Sequence, residues 1–149
     1  INDFVYPNVN NGVYRCGFAR SQEAYEEAYD KLFGALDELD TRLGKQRYLV
    51  GDRLTEADWR LFSTLLRFDI VYYGHFKCNR QHVYEYSNLW NLALELYQYP
   101  GVAEVTDIEH IKRGYYVSRD RNPSGTVPKG PDLDWMASHD RGRFPTQAG

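Results

Sequence analysis

The chain has 149 residues, of which 42% are hydrophobic and 26% charged, with a formal net charge of −3 at neutral pH. That composition is ordinary for one globular domain with a core of its own, and it gives no electrostatic case for nucleic acid or an anionic membrane as partner. No apolar run approaches the roughly 20 residues that cross a bilayer, and two cysteines, Cys16 and Cys78, do not make a disulfide scaffold, so a reducing, cytoplasmic setting is expected.

Thirteen tyrosines are a large supply of rings with a hydroxyl handle, useful for cores and for aromatic ligands alike. Ile1 is not an initiator methionine and nothing before the first motif looks like a signal peptide. Either the chain is trimmed or a preceding domain is missing.

Residues 1–20 mix Asn, Gly, Pro and aromatic side chains, with Asn11-Gly12 as a turn signal. They read as an irregular lead-in that can begin with a short helical piece. Ser21 opens the first long helix, in which Tyr25, Ala28, Leu32, Leu36, Leu39 and Leu43 recur at three- and four-residue steps. Gly44 is its expected C-terminal cap. Tyr48-Leu49-Val50-Gly51 then forms a short extended connector with no strand partner nearby.

Four signals agree on the next helix start. Thr55 is a good N-cap, Asp58 can reach back to close a capping box, and Leu54 and Trp59 are spaced as a hydrophobic staple. Glu56 and Asp58 add negative charge at the positive end of the helix dipole. From Trp59 to Tyr73 the chain is apolar on more than one face, which marks the centre of a core.

This helix gives out near Gly74, and residues 75–80 read as a polar loop. Another helix begins around Ser87 or Asn88 and is halted by Pro100-Gly101. Asp107 can cap a last helix carrying Ile108 and Ile111, closed by Gly114. From Val117 onward the chain holds four of its six prolines and few large apolar residues, so an irregular tail is expected over the surface or toward a partner. The fold class is all-α, a helical bundle over residues 1–116 with an irregular tail over 117–149.

Several side chains could carry chemistry. His75, Cys78 and His82 have spacings that could serve a metal, but they lack a fourth soft ligand, so an ordinary polar loop is the better reading and no metal is expected. Arg15 could favour a thiolate at Cys16, yet no His or Asn sits at a diagnostic spacing and the thiol is expected to pack. Arg15, Arg60 and Arg67 could bind carboxylates; for Arg60 and Arg67, structural pairing with Asp58 or Asp69 is expected. Tyr14 and Tyr115 each lie where irregular chain meets helix, beside Gly12 and Gly114. A hydroxyl there can hydrogen-bond a phenolic ligand and donate a proton. Spacing alone favours the plainer reading of two half-buried packing residues.

Gly51-Asp52-Arg53-Leu54-Thr55-Glu56-Ala57-Asp58 resembles the Gly-x-x-Leu-Thr-x-Ala-Asp capping motif in the all-helical C-terminal domain of glutathione transferases. Further blocks narrow the resemblance: residues 9–19 (VNNGVYRCGFA), Arg47-Tyr48-Leu49, residues 54–62 (LTEADWRLF), Arg67-Phe68-Asp69, residues 75–79 (HFKCN), Leu96-Tyr97-Gln98, Pro100-Gly101-Val102-Ala103 and Asn122-Pro123-Ser124-Gly125. Together they resemble the C-terminal domain of glutathionyl-hydroquinone reductases, the Xi class of glutathione transferases. The likeness runs from Ile1 to about Pro131 and does not cover the Asp132–Gly149 tail.

The resemblance implies a glutathione-dependent reductase that strips the glutathionyl group from S-glutathionyl-hydroquinones. In that family a Cys of a thioredoxin-like N-terminal domain attacks the thioether sulfur, and a second glutathione, the co-substrate, resolves the mixed disulfide. It implies that Tyr14 and Tyr115 hold the hydroquinone and assist protonation of its ring carbon; glutathione-binding residues stay unknown. A homodimer is also implied. The thioredoxin-like domain and its Cys-Pro motif are absent from these 149 residues, so the chain is expected to be the substrate-pocket half, inactive alone. The alternative is a non-catalytic helical module used for binding or assembly.

Overall fold

The computed structural model describes residues 1–146; the last three residues of the expected tail, 147–149, lie outside it. Seven α-helices follow in order: α1 (Asn2–Val5), α2 (Gly12–Phe18), α3 (Gln22–Leu43), α4 (Glu56–Arg67), α5 (Tyr73–His75), α6 (Ser87–Tyr97) and α7 (Ile108–Tyr116). Among the described residues there is no strand, only an isolated bridge between Tyr48 and Gly51 that folds the connector onto itself. The expected all-α bundle is what forms.

Leu32, Leu36, Leu39 and Leu43 on α3, Leu61 and Leu65 on α4, and Leu89, Leu92 and Leu96 on α6 are almost wholly removed from water. Rows at three- and four-residue steps present one apolar face per helix, and burying those faces against one another drives the bundle together. α3 and α4 both pack on α6, and α2 packs on α3.

The lead-in corrects the sequence reading. Residues 2–18 run helical almost throughout, as α1, a π-helical turn (Tyr6–Asn10) and α2. Asn11 donates to the carbonyl of Tyr6 at 2.8 Å, five residues back. Pro7 lacks an amide hydrogen and would break a regular helix; here it sits at the start of the wider turn. Val5, Val9 and Val13, four residues apart, are buried and pay for the helix by packing. That stripe was the signal to follow, and Asn11-Gly12 obscured it.

Helix ends follow local chemistry more closely. Ser21 accepts from the Ala24 amide at 3.1 Å and Asp107 from the His110 amide at 2.9 Å. Thr55 and Asp58 close the capping box. Gly44 does end α3, but with φ −74° rather than in the left-handed form. A Cβ there would sit tightly, 3.1 Å from Asn88 Nδ2 and 3.2 Å from the carbonyl of Thr41 in α3 itself. α7 runs through Gly114 to Tyr116 instead of stopping at the glycine.

Three carboxylates tie remote backbone into place. Asp58, fully buried, accepts from the amides of Thr55 at 2.9 Å and Leu49 at 2.8 Å. Asp40 on α3 accepts from the amides of Asn88 at 2.8 Å and Leu89 at 2.9 Å, so α6 is capped by another helix. Asp69 accepts from the amides of Val83 at 2.7 Å and Tyr84 at 3.3 Å.

Residues 118–146 have little regular structure, yet they are more than a surface cover. Trp135 is buried against Trp90 and Tyr97, with ring centroids 5.0 and 5.1 Å away. Arg141 is wholly buried and donates to the carbonyls of Leu43, Gln46 and Arg47 at 2.9, 2.8 and 2.7 Å. It satisfies carbonyls at and beyond the end of α3 that have no helical partner.

Replacing Asp58 by Ala strands two buried amide donors as well as the cap. It should lower the unfolding free energy by about 3 kcal/mol, read from the urea midpoint, while Glu56→Ala on the exposed first turn should change it by less than about 0.5 kcal/mol. Equal effects of the two would show that Asp58 is not the anchor described.

Candidate functional site

Three tyrosines from three elements meet at one point. Tyr14 comes from α2, Tyr72 from the π-helical turn Phe68–Tyr72 that follows α4, and Tyr115 from the last turn of α7. The Tyr115 hydroxyl lies 2.7 Å from that of Tyr14 and 2.7 Å from that of Tyr72, and the other two are 3.4 Å apart. The sequence reading had singled out Tyr14 and Tyr115; the structure brings them together. It had left Tyr72 among the core residues, and no spacing rule would have pulled it out.

The π-turn explains why Tyr72 arrives there. Tyr73 donates to the carbonyl of Phe68, five residues back, so each turn takes up more residues than in an α-helix. Five residues apart, Arg67 and Tyr72 would point well away from each other on an α-helix; across this wider turn they line one cavity. Asn10, at the end of the first π-turn, spans the gap between helices. Its side-chain amide donates to the carbonyl of Arg60 at 2.9 Å and to the Thr64 hydroxyl at 2.7 Å.

Phe76 packs behind two of the three rings. Its ring stacks on Tyr72 at 5.4 Å and tilts against Tyr14 at the same distance. α2 can approach this closely only because residue 17 is glycine, where a Cβ would come within 2.4 Å of the Phe76 ring.

The cavity has a volume of about 370 Å³ and is lined by Asn10, Tyr14, Ser63, Thr64, Arg67, Tyr72 and Tyr115. A larger space of about 430 Å³ lies between α2 and α3 beside Arg15 and Lys31. It gathers no converging hydroxyls, and converging polar groups are what orient a small ligand. The tyrosine cavity is therefore the candidate.

Burial pushes the Tyr72 hydroxyl well above the ordinary phenol range, and the hydrogen bonds to Tyr115 and Tyr14 push it further. Tyr115 is raised too, chiefly by burial, with the Arg67 cation pulling the other way. Both stay phenols at neutral pH. Three hydroxyls bring three protons, and the two short contacts use two of them. The third proton has only the long 3.4 Å contact between Tyr14 and Tyr72 to serve, so it is the one a ligand can draw on, with lone pairs to accept in return.

The other candidates scatter. Cys78 is buried, and the hydrogen bond its thiol donates to Cys16, together with its own burial, holds it protonated far above the ordinary range. Cys16 is buried in the core beside it. His82 stacks on Tyr73 at 3.6 Å and faces Asp69 at 3.3 Å, while His75 leans on Tyr116 at 4.4 Å. Among the described residues no group of three or more His, Cys, Asp and Glu side chains could hold a metal. Arg60 pairs with Glu56 rather than Asp58, at 2.8 Å through Nε. Among the described residues Arg67 pairs with neither Asp58 nor Asp69; both carboxylates accept from backbone amides, and Asp69 also faces His82.

Comparison with known proteins matches residues 22–105 to the family model of the glutathione S-transferase C-terminal domain. The chain belongs to that family. A glutathione transferase from Gordonia bronchialis is 56% identical with a TM-score of 0.93, over 97% of this transferase domain and 46% of that chain. The glutathione-bound structure of YqjG, a transferase homolog from Escherichia coli, is 48% identical with a TM-score of 0.93, over 96% and 47% of the two chains. The glutathionyl-hydroquinone reductase PcpF of Sphingobium chlorophenolicum is 53% identical over 132 residues, 88% of this chain and 42% of that protein. The transferase domain thus spans less than half the length of each of these three relatives. None of its helices, among the described residues, is long and apolar enough to cross a membrane.

Replacing Tyr72 by Phe should change the alkaline limb of stability. Free tyrosines ionise near pH 10, whereas buried Tyr72 holds its proton above that, so the folded state keeps more protons than the unfolded one and stability falls as pH rises past about 10. Tyr72→Phe removes that difference. Its urea midpoint should decline less steeply than the wild type's between about pH 9.5 and 11.5, and identical slopes would contradict the burial-raised hydroxyl.

Proposed function

We propose that this chain is the substrate-pocket half of a glutathione-dependent reductase that converts S-glutathionyl-hydroquinones to hydroquinones. The observation that carries the reading is the convergence of the Tyr14, Tyr72 and Tyr115 hydroxyls on one cavity. A transferase helical domain used only for binding or assembly has no need to gather three phenols there. The name of the reductase relative PcpF and the glutathione-bound homolog YqjG, itself named a glutathionyl-hydroquinone reductase, support the same reading.

In this reading the nucleophilic thiolate and the glutathione site belong to a thioredoxin-like half, with glutathione as co-substrate. The helical body over residues 1–116, with the tail that follows, supplies the aromatic pocket. Attack on the thioether sulfur breaks the carbon–sulfur bond and leaves its electron pair on the ring carbon, which must take a proton. The glutathionyl group passes to the attacking sulfur as a mixed disulfide, and a second glutathione releases it as glutathione disulfide.

What this chain does is hold the ring and manage that proton. Two of the tyrosine hydroxyls hydrogen-bond the ring hydroxyls, and the spare proton of the cluster is delivered toward the carbon. Tyr14 and Tyr115 carry those roles, with Tyr72 behind them re-supplying the proton through its bond to Tyr115. A cytoplasmic homodimer completes the proposal.

In the complete two-domain polypeptide, Tyr14→Phe and Tyr115→Phe should each lower kcat for a glutathionyl-hydroquinone by at least about tenfold, toward the hundredfold expected for loss of a general acid. Steady-state turnover checks this. Unchanged kcat in both variants would remove the tyrosines from the mechanism.

A further inference from the structure

We propose that Arg67 is a specificity-determining residue that binds a carboxylate carried on the hydroquinone ring, making ring acids of the dihydroxybenzoate class the preferred substrates. This rests on the hydroquinone reading above and deepens it.

Arg67 closes α4 immediately before the π-turn. Of the residues lining the tyrosine cavity, it is the charged one. It also lines an adjoining cleft of about 310 Å³ with His110, Ile111, Gly114 and Tyr115. Arg67 and Tyr115 are thus the shared wall of the two spaces, so a ring held by the tyrosine hydroxyls shares its cavity with this side chain.

The guanidinium carries five N–H donors, and among the described residues it makes one hydrogen bond, from Nη1 to the carbonyl of Ser63 at 2.9 Å. The acidic side chains nearest in sequence are engaged elsewhere: Glu56 with Arg60, Asp58 with the amides of Leu49 and Thr55, Asp69 with the amides of Val83 and Tyr84. Among the described residues no carboxylate forms an ion pair with Arg67.

The rest of the cavity wall offers little competition for an anion. Both contacts of the Asn10 amide go to protein, to the Arg60 carbonyl and the Thr64 hydroxyl. The Arg67 charge nevertheless reaches the site, since it opposes the rise that burial imposes on Tyr115. A half-buried arginine with a free fork on a cavity wall matches a carboxylate in shape and charge. The carboxylate could also be one of glutathione's own, and the experiment separates the two sources.

The test measures equilibrium binding of gentisate and of its neutral methyl ester to the full-length protein, wild type, Arg67→Gln and Arg67→Lys, with glutathione binding measured on the same samples. Thermal melts confirm that the variants fold. Gentisate should bind the wild type at least about tenfold more tightly than the ester. Arg67→Gln should bring the two to parity, and Arg67→Lys, which keeps the charge without the fork, should fall between. The ratio of kcat/KM for the glutathionyl derivatives of acid and ester should follow the same order.

Parity in the wild type, or a preference that survives Arg67→Gln, would overturn the proposal. So would loss of glutathione affinity in Arg67→Gln with the acid preference intact. An acid preference that depends on Arg67, in a protein that turns over no glutathionyl-hydroquinone, would leave this site standing and sink the reductase reading instead.

Discussion

The fully buried carboxylate of Asp58 is the constraint on which the rest of this structure depends. A buried charge is tolerated only where hydrogen bonds replace its water, and here the donors are the amides of Thr55 and Leu49. One group therefore starts α4 and fixes the incoming connector against it. α4 then delivers the π-turn, and the π-turn delivers Tyr72. Burial of the carboxylate raises its pKa while the amide hydrogen bonds oppose the rise, which shows how finely that balance is set.

The same device recurs at Asp40 and Asp69. Each stands on a helical segment and accepts from the first amides of a later one. A helix N-terminus has unpartnered donors and a partial positive charge, so a carboxylate projecting from a neighbour both satisfies and orients it. Arg141 does the converse for carbonyls around the end of α3. The leucine faces bring the bundle together without direction. These polar contacts choose the arrangement that is kept.

Two π-turns lie at the candidate site, one ending at Asn10 and one at Tyr72. A π-turn sacrifices regular hydrogen bonding and persists where packing compensates for it. Val9 and Phe68, within these turns, are wholly buried. The distorted backbone is thus held by the core, while the residues it re-aims, Asn10 and Tyr72, reach the cavity. Gly17 lets the Phe76 ring pack against α2, behind Tyr14 and Tyr72.

The sequence by itself determined the all-α class, the starts of α3, α4 and α7, and the long core helix, because N-caps and apolar periodicity act within a few residues of each other. Its likeness to a known family singled out Tyr14 and Tyr115. The helical lead-in was signalled by Val5, Val9 and Val13 and masked by the local turn signal Asn11-Gly12. The sequence could not reveal that α6 is capped from Asp40 or that Arg141 is buried, since each depends on a partner far along the chain. Tyr72 and Arg67 read as core and as an ordinary ion-pair residue for the same reason. Only the tertiary structure decided that a five-residue hydrogen bond turns both toward one cavity, and that the carboxylates expected to neutralise Arg67 are held by backbone amides.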